Sequence, residues 1–210
     1  VSAGEDSLPR LASLVQDYQP DRLVVVGDIV HAALPVPGVE AMVRELASLA
    51  THKTRLELCL GNHDRRLGDL LATWRISATV HTQVVLPEAV LFHGDVEPER
   101  GNSGDRWFLQ GHEHPAVVLG DGVASSAKVP CFLSGPRHLV LPAFSQGSAG
   151  CTVGRDPFLA TPARGARLDT VIACLGKRLL RIPLTTLLGT AGADPSPSGP
   201  DLFPPRRVRP

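Results

Sequence analysis

The sequence predicts an α/β fold, a layered sandwich of mixed β-sheets flanked by helices, and three observations predict it. Helix-spaced apolar residues alternate with short apolar runs through the first part of the chain. Runs of strand character then dominate as far as about residue 182. Metal-ligating residue types recur just past the ends of those runs, where open α/β sheets place their sites.

The elements follow in order. Residues 7–19 carry Leu8, Leu11, Leu14, Val15 and Tyr18 at helical spacing, with Ser7 as N-cap and Pro9 in the first turn. The RLVVVG run at 22–27 is a continuous apolar stretch, the pattern of a buried strand. A Pro/Gly loop leads to a second helix over 39–50, on Val39, Met42, Val43, Leu46 and Leu49. A strand is expected over 55–61 and a short helix over 67–74. Strands are expected over 79–86, 89–92, 107–110, 116–119, 129–133, 139–141, 171–175 and 179–182. From Gly189 the composition turns to Pro, Ser and Gly with little to bury, so 1–188 is read as one domain and 189–210 as a disordered tail. Its arginines, Arg206, Arg207 and Arg209, are read as solvated charge.

A chain of 210 residues is long enough to bury a real core. With 43% apolar and 20% charged residues it has the balance of a soluble globular protein. It has no apolar run long enough for a membrane span and no basic-then-apolar leader. A formal net charge of +0 argues against strong non-specific binding to nucleic acid. It leaves room for a local groove, for which Arg65, Arg66, Arg100 and Arg106 are candidates, equally readable as solvated charges. The four cysteines, Cys59, Cys131, Cys151 and Cys174, form no C-x-x-C pair. Cys59 and Cys174 sit in apolar runs. All four are expected to be buried free thiols, which suits a reducing cytoplasm.

The chemistry collects at strand ends. Asp28 follows the RLVVVG run, and Asn62, His63 and Asp64 follow LELCLG. His93 follows AVLF, and His112 and His114 follow WFLQG. Each alone has an ordinary reading. Asp28 can be a turn or cap residue, residues 61–64 a polar turn, and His93 a hydrogen-bonded histidine. Four such clusters in register point instead to one site. If the backbone is extended at His112, Glu113 and His114, both imidazoles point to one face. His31, close to Asp28, is a candidate for a supporting contact, whereas His52, His81 and His138 read as surface or hydrogen-bonded. Phosphate-binding glycine loops, a serine-nucleophile elbow and H-E-x-x-H are all absent. The donors are oxygen and nitrogen without thiolate, which suits manganese, iron or zinc better than a structural cysteine–zinc site.

These residues resemble the calcineurin-like metallophosphoesterases. The matching segments are GDIVH at Gly27–Asp28, GNHD at Gly61–Asp64, HGD at His93–Asp95 and GHEH at Gly111–His114. The stretches GHEHPAVVL, VPCFL, LVLPAF and SAGCTV are similar to the branch that includes DNA-ligase-associated phosphoesterases and repair nucleases. The resemblance spans about residues 8–182. It implies the phosphoesterase fold and two divalent cations, manganese first, with iron, zinc, nickel or magnesium as alternatives. Asp28 would bridge the two. Asn62, His93 and His112 would complete one set, and His114 would serve the other. His63 would stabilise or protonate the leaving oxygen, and Asp64 would orient His63. Two cations about 3.5–4 Å apart clamp the attacking and leaving oxygens of an in-line displacement.

One family feature is missing. The D-x-H of the family's first strand, which completes the second cation's ligands, does not precede the first helix. The expectation is that this strand is encoded upstream of Val1 or comes from elsewhere; reading the codons upstream for an in-frame D-x-H tests it. Three functions stay open at this point. They are hydrolysis of phosphodiesters in DNA or RNA, hydrolysis of small or cyclic-nucleotide phosphodiesters, and a degenerate metal-binding module without activity.

Overall fold

A computed structural model of the chain describes residues 7–30, 38–50, 53–99, 104–120, 125–145 and 150–188. His31, His52, Arg100 and the stretch 189–210 lie outside the described residues. The fold is mixed α/β, with sheets of parallel and antiparallel strands flanked by helices.

The first layer is a three-stranded parallel sheet of β1 (Arg22–Val26), β2 (Arg55–Cys59) and β3 (Thr79–His81), in that order. The connections carry α2 (Val39–Ser48) and α3 (Leu67–Trp74), as parallel pairing requires a crossover. Val43 and Leu46 of α2 and Leu67 and Leu71 of α3 bury against Leu56 and Leu58 of β2. Each fully buried side chain of this kind contributes about 1.5–3 kcal/mol. Expected as a buried strand, β1 is half-buried along its whole length, whereas β2 is buried from Leu56 onward. It forms the edge of its sheet, and no strand among the described residues pairs with its outer side.

Helix α1 (Ser7–Tyr18) forms where the spacing predicted it but has no fully buried residue. Leu8 and Leu11 pack at the margin of the core. Leu14 and Tyr18 face solvent, contrary to the apolar stripe expected of them. The Ser7 hydroxyl makes no capping bond and has no hydrogen-bond partner among the described residues.

The second sheet has eight strands. They are β4 (Gln83–Val85), β5 (Ala89–Phe92), β6 (Trp107–Gln110), β7 (Ala116–Gly120), β8 (Ser126–Gly135), β9 (His138–Val140), β10 (Thr170–Leu175) and β11 (Arg178–Pro183). Seven run in the order β11-β10-β8-β9-β6-β5-β4, and β7 pairs with the first half of β8. The run 79–86, expected as one strand, is two. Its first half joins β2 and its second half joins β5, so the chain steps between sheets at Thr82. Strand β8 is long because it pairs with two strands in turn, and Pro130 marks the junction. This residue lacks an N–H and sits where the strand exchanges its partner β7 for β10. The core of this sheet gathers Val117, Leu133, Val140, Phe158 and Val171. Short helices α4 (Thr161–Gly165) and α5 (Leu184–Leu188) were not expected. The cysteines are free as expected, but Cys174 is only half-buried. Among the described residues no helix is long and apolar enough to cross a membrane.

Candidate metal centre

Topology assembles the site. Strands β1 and β2 are parallel and end in the loops holding Asp28 and Asn62. Strands β5 and β6 are also parallel and end at His93 and His112. Side chains far apart in sequence thereby meet between the two sheets, at the carboxyl ends of their strands.

The His93 ring, 2% exposed, is the centre of the group. Its Nε2 lies 3.3 Å from Asp28 Oδ2, 3.1 Å from Asn62 Oδ1 and 3.0 Å from His112 Nδ1. Among the described residues, Asp28, His93 and His112 form a group that could hold a metal ion, their ligand atoms all within 4.8 Å of one another. Asn62 adds an amide oxygen. Four lone-pair atoms meet here, and the single proton Nε2 can carry cannot serve three neighbours. Ligands about 2.1 Å from a shared cation stand about 3.0–3.4 Å apart, the spacing seen around Nε2. The residues therefore fit a divalent cation.

The electrostatics are those of a coupled group. Burial would lift the Asp28 pKa, but the His93 ring and His63 outweigh it and hold the carboxyl below its usual range. Burial opposes charge on His93 as well, yet Asp28 and Asp95 prevail and raise its pKa. His112, desolvated and beside His93, is pushed down. The buried His93 Nδ1 has no well-aligned hydrogen bond, although the Val26 carbonyl is close enough to favour its proton. Gly27 makes the approach possible. It has φ +73°, and a Cβ there would lie 1.9 Å from His93 Nδ1.

The other expected residues divide. His63 is exposed, and its backbone N–H donates to Asp28 Oδ1 at 3.3 Å. Asp64 is fully buried and was expected to orient the His63 ring. Its carboxylate accepts the backbone N–H groups of Ile29 (3.2 Å), Val30 (2.8 Å) and Gly61 (3.0 Å). It ties the loop of Asp28 to the loop of Asn62 and His63. His112 and His114 do not sit on an extended backbone. Both have positive φ, 65° and 45°, so the one-face rule for strands does not apply to them. His112 joins the group and His114 does not, although its charge is felt at His112.

Three nearby residues escaped the sequence reading. Asp95 acts electrostatically on both His93 and His112, and its place in the HGD segment was the available signal. Gln110, fully buried at the end of β6, accepts a hydrogen bond from His138 Nε2 at 2.8 Å. Glu113, 1% exposed, accepts the backbone N–H groups of Leu159 (2.7 Å) and Ala160 (2.8 Å). Burial lifts its pKa, and those two donors only partly restore it. Nothing in sequence marks the pairing of Gln110 with His138 or the partners of Glu113, because those contacts are long-range.

No family profile matches this chain, and no curated protein matches it. The chain is similar to a nuclease. One match is the crystal structure of Pseudomonas putida nuclease MPE, at 27% sequence identity and a TM-score of 0.60. It covers 85% of this chain and 79% of that one.

Proposed function

We propose that this protein is a divalent-metal-dependent phosphoesterase that hydrolyses phosphodiester bonds, with nucleic acid as its substrate. The observation that carries the reading is the meeting of Asp28, Asn62 and His112 around His93 Nε2. The similarity to a protein titled a nuclease supports the substrate class, and the repair-nuclease resemblance of the sequence agrees with it. Asp28, Asn62, His93 and His112 would hold one cation, manganese in the first instance. Asp28 and His114 would contribute to a second.

When bound, the cation supplies positive charge to a phosphate and makes water a stronger acid. The chain's own residues do the rest. His93 and His63 outweigh burial at Asp28 and favour its carboxylate form. Burial and the neighbouring His93 push the His112 pKa down, which favours the neutral ring and its lone pair. Asp64 holds both ligand loops through three backbone bonds. His63, exposed and next to Asn62, donates a proton to the departing ester oxygen. General acids of this kind contribute about 10²–10⁴-fold.

The net charge of +0 favours a second reading, a small phosphodiester as substrate. The test is manganese-dependent hydrolysis of bis(p-nitrophenyl) phosphate and of DNA, single-stranded and duplex, by the parent, His63→Ala and His112→Ala. Loss of cleavage in both variants is expected, with DNA binding that weakens as salt rises. Cleavage of the small ester without salt-dependent DNA binding would favour the second reading. Cleavage undiminished in His112→Ala would refute the metal centre.

A further inference from the structure

We propose that Glu113 is a positioning residue that holds the His112–His114 loop in its ligand-presenting shape by anchoring it to residues 150–160. The inference rests on the metal-centre reading above and adds to it a residue with no ligand role of its own.

The loop needs an anchor. His112 and His114 both occupy the left-handed region, at φ 65° and 45°. Residues with side chains stay there only when the surroundings over-determine them. Glu113, between them, is the place where the surroundings do so. Its Oε2 receives the Leu159 N–H at 2.7 Å, and its Oε1 the Ala160 N–H at 2.8 Å. Its backbone N–H donates to the Gly111 carbonyl at 2.8 Å, and its carbonyl accepts the Cys151 N–H at 3.1 Å. The segment behind it is itself fixed. Ala116 N–H donates to Cys151 at 2.8 Å and Val153 N–H to Ala116 at 2.8 Å, around a parallel bridge from Ala116 to Thr152. Gly150 closes the contact from the other side. A Cβ there would lie 1.7 Å from the His114 carbonyl oxygen, so only glycine lets the two backbones touch.

Both carboxylate oxygens of Glu113 are committed to backbone donors, so it acts on the cation only through the loop. A carboxylate is an expensive group to bury for packing alone, because it must be fully hydrogen-bonded to be tolerated. It does what an apolar side chain cannot, which is to tie two backbone segments at fixed length and direction. Residues that orient metal ligands typically change metal affinity by about 10–100-fold when replaced.

The experiment is calorimetric titration of the full chain with Mn²⁺. The variants are Glu113→Gln, Gly150→Ala and Leu71→Ala, the last a core change in α3 within the separate cluster of the first sheet. All are measured at a temperature where circular dichroism shows them folded. Glutamine keeps the volume, but its amide NH₂ must face one of two backbone donors. Glu113→Gln and Gly150→Ala are expected to bind Mn²⁺ about 10-fold or more weakly than the parent. Leu71→Ala is expected to melt earlier and bind unchanged. Parent-like Mn²⁺ affinity in Glu113→Gln would overturn the proposal, as would affinity in Leu71→Ala that falls along with its melting temperature. If Glu113→Gln does not fold, Gly150→Ala decides by the same criterion. A parent that takes up no Mn²⁺ would remove the metal-centre reading and this inference with it, whereas equal binding by parent and variant removes this inference alone.

Discussion

Gly27→Ala would strike the proposed metal centre without replacing a ligand. Gly27 has φ +73°, a conformation that costs a residue with a side chain about 1–2 kcal/mol. The added methyl would also lie 1.9 Å from His93 Nδ1, 2.5 Å from Cγ and 2.8 Å from Cε1. Ordinary contact is about 3.5 Å, so the ring must retreat by roughly 1.5 Å. His93 is 2% exposed, so its ring moves with β5 or leaves the group. Functional constellations tolerate displacements of about 0.5 Å, and a 1 Å misplacement costs about 10²-fold in rate. On the proposed function, the expected result is at least a hundredfold loss of manganese-dependent phosphodiesterase activity. The strain alone lowers the melting temperature by roughly 2–8 °C, at about 2–4 °C per kcal/mol for a chain of this size. Hydrolysis of bis(p-nitrophenyl) phosphate, with melting followed by circular dichroism, reads both quantities. Parent-like activity in Gly27→Ala would refute the role of the Gly27–His93 contact in building the site.

Two further outcomes follow from groups outside the site. Burial raises the thiol pKa of Cys59 to about 11 and those of Cys131 and Cys151 to about 12. The native chain at pH 8 should therefore leave these three unlabelled by a thiolate-selective reagent and expose them only on unfolding, as mass spectrometry of the labelled peptides would show; rapid native labelling of Cys131 would contradict its burial. Glu57 accepts two bonds from Arg22, at 2.6 and 2.7 Å, and its pKa is held below the ordinary 4.5. A depressed carboxyl pKa stabilises the fold above the unfolded-state value, and that contribution is lost as pH falls through the folded-state value. Urea melts of the parent against Glu57→Gln should differ at pH 7 and converge well below pH 4.5; a difference unchanged at low pH would show that the Glu57 charge carries no part of it.

Much of the fold was legible because its causes are local. Apolar runs and helical spacing located β5, β6 and α3 to the residue, and the turn chemistry after each run marked where Asp28, Asn62, His93 and His112 would stand. The strand at 79–86 was misread because its two halves serve different sheets, and no local pattern records which neighbour a strand will find. The exposure of Leu14 and Tyr18 was hidden for a related reason. Helical spacing shows that a face is apolar, while only packing shows how much of it is covered.

The site divides along the same line. Sequence alone determined which residue types stand at strand ends, since a carboxylate, an amide and imidazoles there are visible as letters. Tertiary structure decided which of them meet. Parallel pairing of β1 with β2 and of β5 with β6 brings three ligating groups around one nitrogen. His112 enters the group and His114 lies outside it, although both have left-handed backbone. The buried carboxylates of Asp64 and Glu113 act on backbone amides as far as 35 and 47 residues away. Hydrogen bonds to a backbone N–H place no demand on the identity of the donor residue, so they leave no trace in sequence and exist only in the folded chain.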